Sequence, residues 1–436
     1  MFGLPKFGDG IGLHRIDRFF KAHRIDRAGM ARRSIAVTGT NGKGSTARFI
    51  TSAIEAAGLR VGCFTSPHLF DVRERFTIGD ESIPQEAFDR HAETVVAFNN
   101  TLPEGDRMGA FEFLFLIAIL WFQEQKPDAI VWEAGIGGRY DPVRTVRASV
   151  SVLTSIELEH TELLGHTEEL IAYDKVDALA PGGCVVLSPE IPEWLALRIA
   201  AYADLSGKAT LPALASRRVT DIVNTPQGAR FNYGFTAVPA SADQVVRLKL
   251  AGAHQVDNAI TALRAAEVWL GLKPEENAER HFAMLAALGR TCWPGRLEKV
   301  SLSPELWIDV GHTPRALDAV TRTFLEISPR ERTLVVFGVS SSKEVAAISE
   351  IVARRFDHFV LTRAWKSGAG VDQFEPVFRR HATDITIAPN TTAAARLARE
   401  RAQRDGLAVL AIGGLFLAAE IQRAWEGGDP STIDFL

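Results

Sequence analysis

A chain of 436 residues, 46% of them apolar and 23% charged, has the composition of a soluble globular protein and, at about 150 residues per domain, room for two to four domains, which excludes a small single-module binder and a disordered chain. Lys plus Arg total 49 against 53 Asp plus Glu, a formal charge of −4, and no basic block stands out, so nucleic acid is a poor first partner. Three separated cysteines, Cys63, Cys184 and Cys292, give neither a disulfide framework nor a cysteine zinc site and fit a reducing cytoplasm, and the longest apolar run, Phe113 to Phe122, is far short of the ~20 residues of a membrane span.

Near the start, Lys6, Arg15 and Arg18 are not followed by an apolar stretch and cleavage site, so no export or membrane signal is expected. Ser34 to Val37 predicts a short strand running into a glycine-rich turn, and Phe49, Ile50, Ala53, Ile54 and Ala57 then recur at helical spacing up to Gly58. Leu59 to Thr65, Ala129 to Trp132, Ser149 to Ser155 and Cys184 to Leu187 predict further strands. Such alternation predicts a parallel sheet covered by helices on both faces. From Ser206 to Leu250 the pattern is weak. Helices are predicted from His254 to Leu270 and from Glu276 to Leu288, and the Pro-Gly punctuation of Thr291 to Arg296 predicts a domain boundary. A second α/β series follows, with strands at Leu306 to Val310, Thr333 to Val339, His358 to Thr362, Thr383 to Ile387 and Ala408 to Ile412. Trp121, Trp132 and Trp365 are expected in cores or domain contacts, and Glu112 at a helix end beside a core segment.

The most informative segment is Val37-Thr-Gly39-Thr40-Asn41-Gly42-Lys43-Gly44-Ser45. Its glycines allow a tight turn with N–H groups pointing inward, the next helix offers its positive N-terminus, and Lys43 can reach β- and γ-phosphates. Nucleotide triphosphate binding is therefore expected. The loop departs from the usual GxxxxGK[ST] form, because Val37 holds the first glycine position and Gly44 follows the lysine.

This GTNGKGS variant resembles the Mur ligase superfamily, and most closely its folylpolyglutamate synthase and dihydrofolate synthase branch. The resemblance continues through TSPHL at 65–69, RER at 73–75, EAGIGGRYD at 133–141, LTSIELEHTELLG at 153–165, YDK at 173–175, GAHQVDNA at 252–259, PGRLE at 294–298, IDVGHTP at 308–314 and AIGGLFL at 411–417. It implies a P-loop central domain with a mainly parallel sheet over residues 1–293 and a smaller Rossmann-like α/β domain over 294–436. It also implies a cytoplasmic, monomeric enzyme that uses ATP and Mg²⁺ to join a small carboxylic acid to an amine through an acyl phosphate, with no nucleic-acid or membrane partner.

By the same resemblance Ser66, Glu133 and His160 match metal ligands, with Ser45 of the phosphate loop beside them. Lys175 matches a lysine that can be carbamylated, Arg296 an arginine on the ATP phosphates, Asn258 an adenine-side contact, and Asp309 and His312 nucleotide contacts of the last domain. Read alone, Ser66 is a turn residue before proline, His160 a lone histidine, and Lys175 a solvated helix lysine pairing with Asp174 or Glu169. Only a neutral amine adds carbon dioxide, so a carbamylated Lys175 requires burial to lower its pKa.

Departures from the folate pattern cluster on the substrate side. GGRLDATN becomes Gly137-Gly-Arg139-Tyr-Asp141-Pro-Val-Arg144-Thr, LDH becomes Leu158-Glu159-His160, DGAHNP becomes Asp309-Val-Gly-His312-Thr313-Pro314, and the Gly-Ser of GSLYL becomes Gly413-Gly414. Three readings follow: an amide ligase with an altered acceptor pocket, an authentic folate ligase adding L-glutamate, and a nucleotide-binding P-loop protein that ligates nothing.

Overall fold

A computed structural model describes residues 8–341 and 343–435. The N-terminal part is built on an eight-stranded sheet of β1 (Ser34–Thr38), β2 (Val61–Phe64), β3 (Phe76–Ile78), β4 (Glu81–Ser82), β5 (Ala129–Glu133), β6 (Val150–Leu153), β7 (Cys184–Leu187) and β8 (Ala209–Pro212), in the order β4-β3-β2-β5-β1-β6-β7-β8. Only the β2–β3 and β3–β4 pairings, at one edge, are antiparallel. β1 and β5 are buried at every position, as continuous apolar strands between two helical layers must be. Strand order reverses around β1, which lies between β5 and β6. In such sheets ligands bind off the carboxyl ends at this reversal.

The helix after β1, α1 (Lys43–Ala56), buries Phe49, Ile50, Ala53 and Ile54 completely. Their spacing is the one read from the sequence, and each large side chain so buried contributes roughly 1.5–3 kcal/mol. On the other face of the sheet, α2 (Ala110–Gln125) is apolar nearly all round. Its Glu112 accepts from the Gly109 N–H at 2.9 Å and pairs with the buried Arg15. Then come α3 (Glu168–Val176) and the long α4 (Ala253–Leu270), which packs along α1.

Between β8 and α4 the weakly patterned stretch folds into an antiparallel sheet of β9 (Arg217–Thr225), β10 (Gly228–Phe235) and β11 (Gln244–Arg247). Its inner face buries Phe231, Tyr233 and Val246 in the core shared with α1 and α4.

The C-terminal sheet contains β12 (Glu298–Leu302), β13 (Glu305–Ile308), β14 (Thr333–Phe337), β15 (His358–Leu361), β16 (Asp384–Ile387) and β17 (Ala408–Ile412), in the order β12-β13-β17-β14-β15-β16. It is parallel except for β12, an edge hairpin partner of β13. Helices α5 (Pro314–Ile327) and α6 (Leu415–Trp425) follow β13 and β17, whose carboxyl ends are neighbours. Trp121 and Trp132 are buried, but Trp365 is 75% exposed, against expectation. Buried Glu420 accepts from the backbone N–H groups of Trp365 and Lys366, fixing a loop that turns the indole outward. Among the described residues no helix is long and apolar enough to cross a membrane.

Candidate active site at the domain cleft

A cleft of about 630 Å³ separates the two parts, lined by Asn41, Gly42 and Ser45 on one side and Arg296, Asp309 and His312 on the other. The phosphate loop is shaped by contacts a side chain would break. Gly39 and Gly42 have φ of 141° and 82°, and a Cβ at either would run into Thr154 or Asn258. Thr40 N donates to the Ser155 carbonyl at 2.8 Å and Asn41 N to Ser155 Oγ at 2.9 Å, tying the loop to the end of β6. Lys43 Nζ curls onto the carbonyls of Gly39 (3.1 Å) and Thr40 (2.9 Å). At Gly44 a Cβ would lie 2.9 Å from Nε1 of Trp293, whose indole rests on the first turn of α1.

Glu133, the last residue of β5, pairs in register with Val37 and so stands beside the loop. Its Oε2 accepts from Ser66 N at 2.9 Å. Burial raises the Glu133 pKa, opposed by Lys43, the Ser66 N–H, Arg296 and Arg75. The Ser45 hydroxyl is buried without a hydrogen-bond partner among the described residues. An orphan hydroxyl close to a phosphate loop fits a cation ligand, since a hard cation takes oxygen donors. His160, at φ 52°, is exposed, its Nε2 3.9 Å from Glu159.

Lys175 is buried, not solvated, and makes no ion pair among the described residues; its Nζ donates to the Gly39 carbonyl at 3.0 Å. Burial first, and then the Lys43 ammonium, lowers its pKa to about 7.

From the C-terminal side, Asp309 accepts from Leu297 N (2.8 Å) and Gly311 N (2.7 Å) and exerts a charge interaction on Arg296. Asn258, on α4, accepts from Thr46 Oγ1 at 3.2 Å. Burial and then Lys343 hold the His312 pKa down to about 4. The sequence reading missed Lys343 and Arg315, which join the two sides. Lys343 Nζ pairs with Glu159 at 2.9 Å, His312 Nε2 lies 3.9 Å from the same carboxylate, and Arg315 pairs with Glu190. Although burial pushes the other way, Lys343 and the imidazoles bring Glu159 down to about 2. Asn41 Nδ2 donates to both Glu157 and Thr313 Oγ1, the latter at 3.2 Å. Arg75 is also buried, and its Nε donates to His68 Nδ1 at 2.9 Å, which leaves the His68 proton on Nε2 for the Asp434 carbonyl at 2.9 Å. The RER motif signalled Arg75; nothing in the sequence signalled Lys343 or Arg315.

Residues 295–414 match the Mur ligase, glutamate ligase domain. The dihydrofolate synthase/folylpolyglutamate synthase of Bacillus subtilis is 31% identical over 349 residues, 78% of each chain. Two haloarchaeal relatives named "Probable bifunctional folylpolyglutamate synthase/dihydropteroate synthase", from Halobacterium salinarum and Haloferax volcanii, are 32% and 31% identical over 90% and 98% of this chain. The chain spans about half their length, 47% and 50%. Among solved structures, E. coli FolC in complex with DHPP and ADP superimposes with a TM-score of 0.80 at 25% identity, covering 96% of this chain and 94% of that one. A bifunctional folylpolyglutamate synthase/dihydrofolate synthase with Mn, AMPPNP and L-glutamate bound gives 0.77 at 25% identity, over 95% and 94%.

Proposed function

The chain belongs to the folylpolyglutamate synthase and dihydrofolate synthase family of Mur-type ligases, and from that premise we propose that it is an ATP-dependent amide ligase. A carboxylate attacks the γ-phosphoryl group of ATP, and an amine displaces phosphate from the acyl phosphate to give amide, ADP and phosphate. Such chemistry needs charge neutralisation and positioning more than a covalent nucleophile. The observation that carries the reading is convergence: Asn41, Gly42 and Ser45 of the glycine-rich loop and Arg296, Asp309 and His312 of the C-terminal part line one cleft.

In this reading Gly39 to Ser45 cradle the phosphates, Lys43 and Arg296 neutralise them, and Asn258, Asp309 and His312 contact the nucleotide. Ser45, Ser66, Glu133 and His160 would hold Mg²⁺, which supplies charge neutralisation at the phosphates. Supporting this is the orphan Ser45 hydroxyl. Lys175 acts as a carbamate, a reading supported by its burial and depressed pKa. Closure of the domains excludes water from the acyl phosphate. The names of the relatives suggest a pteroate or folate as the acid and L-glutamate as the amine.

A different acid–amine pair is favoured by two departures: Gly414, next to His312, carries no hydroxyl, and Thr313, whose hydroxyl caps α5 and accepts from Asn41 Nδ2, offers no amide donor. A switch protein without ligation has no observation in its favour. Measuring ADP release with dihydropteroate, folates and other acids, crossed with a panel of amino acids, tests the proposal. Release requiring both an acid and an amine supports a ligase; release indifferent to either refutes it.

A further inference from the structure

Glu157 is a carboxylate for which the proposed chemistry has so far no use. It lines the cleft where the phosphate loop meets the start of α5. Its backbone N–H donates to Thr40 Oγ1 at 3.1 Å, its Oε1 accepts from Asn41 Nδ2, and the Thr313 hydroxyl also bonds to it. It makes no ion pair among the described residues, because Arg315, which acts on it through charge, is paired with Glu190. The carboxylate of Glu159, itself taken up by Lys343, also acts on it. Burial accordingly raises its pKa, although Asn41 and Arg315 pull the other way. A half-buried carboxylate without a cation is costly and is commonly completed by one.

The new amide bond must form between an acyl phosphate held at the phosphate loop and an amine arriving in the cleft, and free amines are cationic at neutral pH. We infer that Glu157 receives the ammonium group of the incoming amine and so takes part in selecting it, an inference that rests on the ligase reading above. The ammonium gives one proton to the carboxylate. The neutral nitrogen then forms the C–N bond as the acyl C–O bond breaks, its second proton departs on the phosphate as HPO₄²⁻, and Glu157 returns its proton to water.

Hydroxylamine, uncharged at neutral pH, provides the control, since it traps an acyl phosphate as a hydroxamate without needing a site for an ammonium. The experiment measures kcat/KM for hydroxylamine and for the best of a panel of cationic amines, the twenty amino acids and simple diamines, in the full chain and in Glu157→Gln and Glu157→Asp. In Glu157→Gln the ratio of cationic amine to hydroxylamine should fall about tenfold to a hundredfold, the loss expected for a charge-assisted contact. Glu157→Asp should recover part of it, and the KM for ATP should stay near its wild-type value. An unchanged ratio, or a KM for ATP that rises in step with both amines, overturns the inference and makes Glu157 a brace for Asn41. So does a wild-type enzyme that uses hydroxylamine but no cationic amine. Failure to form hydroxamate with any acid removes the ligase reading itself, and this inference with it.

Discussion

Lys43 and Lys175 share one acceptor: both ammonium groups donate to the carbonyl oxygen of Gly39, at 3.1 and 3.0 Å. Burial first, and then the repulsion between two cations on one carbonyl, lowers the Lys175 pKa to about 7. The unfolded chain binds that proton up to about pH 10.4, so between the two values the unfolded state holds more protons and stability rises with pH. Lys175→Met should flatten the slope of unfolding free energy between pH 7 and 10, read by denaturant titration across that range.

The same neutral amine makes carbamylation testable. Turnover should increase through about pH 7 and drop in buffer stripped of carbon dioxide. Lys175→Ala should lose about 100-fold in kcat, the scale of a lost electrostatic contribution, and regain part with added acetate or formate. Full activity without carbon dioxide would refute the carbamate.

On the proposed reading, removing the Lys43 ammonium takes away charge meant for the transferred phosphoryl group, whereas in the protein alone it removes only hydrogen bonds to the carbonyls of Gly39 and Thr40. Lys43→Ala should melt near the wild-type temperature while ADP formation falls about 100-fold or more. Calorimetric ATP titration checks the binding half; unchanged affinity would refute the assignment.

Ser45 separates fold from function. Because its buried hydroxyl is unpartnered, Ser45→Ala should leave stability without nucleotide unchanged or raise it by about 1 kcal/mol, while the Mg²⁺ concentration needed for half-maximal ADP release increases. A variant that is less stable and needs no extra Mg²⁺ would rule out a ligand role.

Gly413 and Gly414 are adjacent but not equivalent. At Gly413, φ is 129° and a Cβ would overlap the Gly338 carbonyl, so Gly413→Ala should cost about 2–4 kcal/mol, visible as a lowered Tm. At Gly414, φ is 146° but the nearest atom to a Cβ is 3.7 Å away, on His312. Gly414→Ser should cost about 1 kcal/mol of backbone strain; on the proposal of an altered acceptor pocket it should also lower the KM for L-glutamate, and an unchanged KM counts against that proposal.

What could be read from the sequence follows from which signals are local. Ser34 to Ala56 declared a strand, a glycine turn and a helix because burial on both faces leaves an uninterrupted apolar run and the phosphate loop forces glycines at 39 and 42. β9 to β11 escaped notice because their outer face carries exposed residues such as Ile222, Val223 and Val245 beside charged ones, which blurs the alternation. Within the site, the residues of one motif were legible, whereas pairs such as Lys343 with Glu159 exist only once two distant segments meet. Burial decided Lys175; its own residue type does not announce it, and the only hint in the sequence is the apolar Ile171, Ala172 and Val176 around it.

The indole of Trp293 on the first turn of α1 leaves no space for a side chain at position 44. In an ordinary phosphate loop the residue after the lysine supplies the hydroxyl; here Trp293 occupies that place, and on the proposed reading the hydroxyl comes one residue later, from Ser45. The altered spelling of the motif is thus the imprint of the connector on the nucleotide cradle. Gly44→Ser should be tolerated only together with a smaller residue at 293, so that the two positions behave in a double-mutant cycle as a single unit.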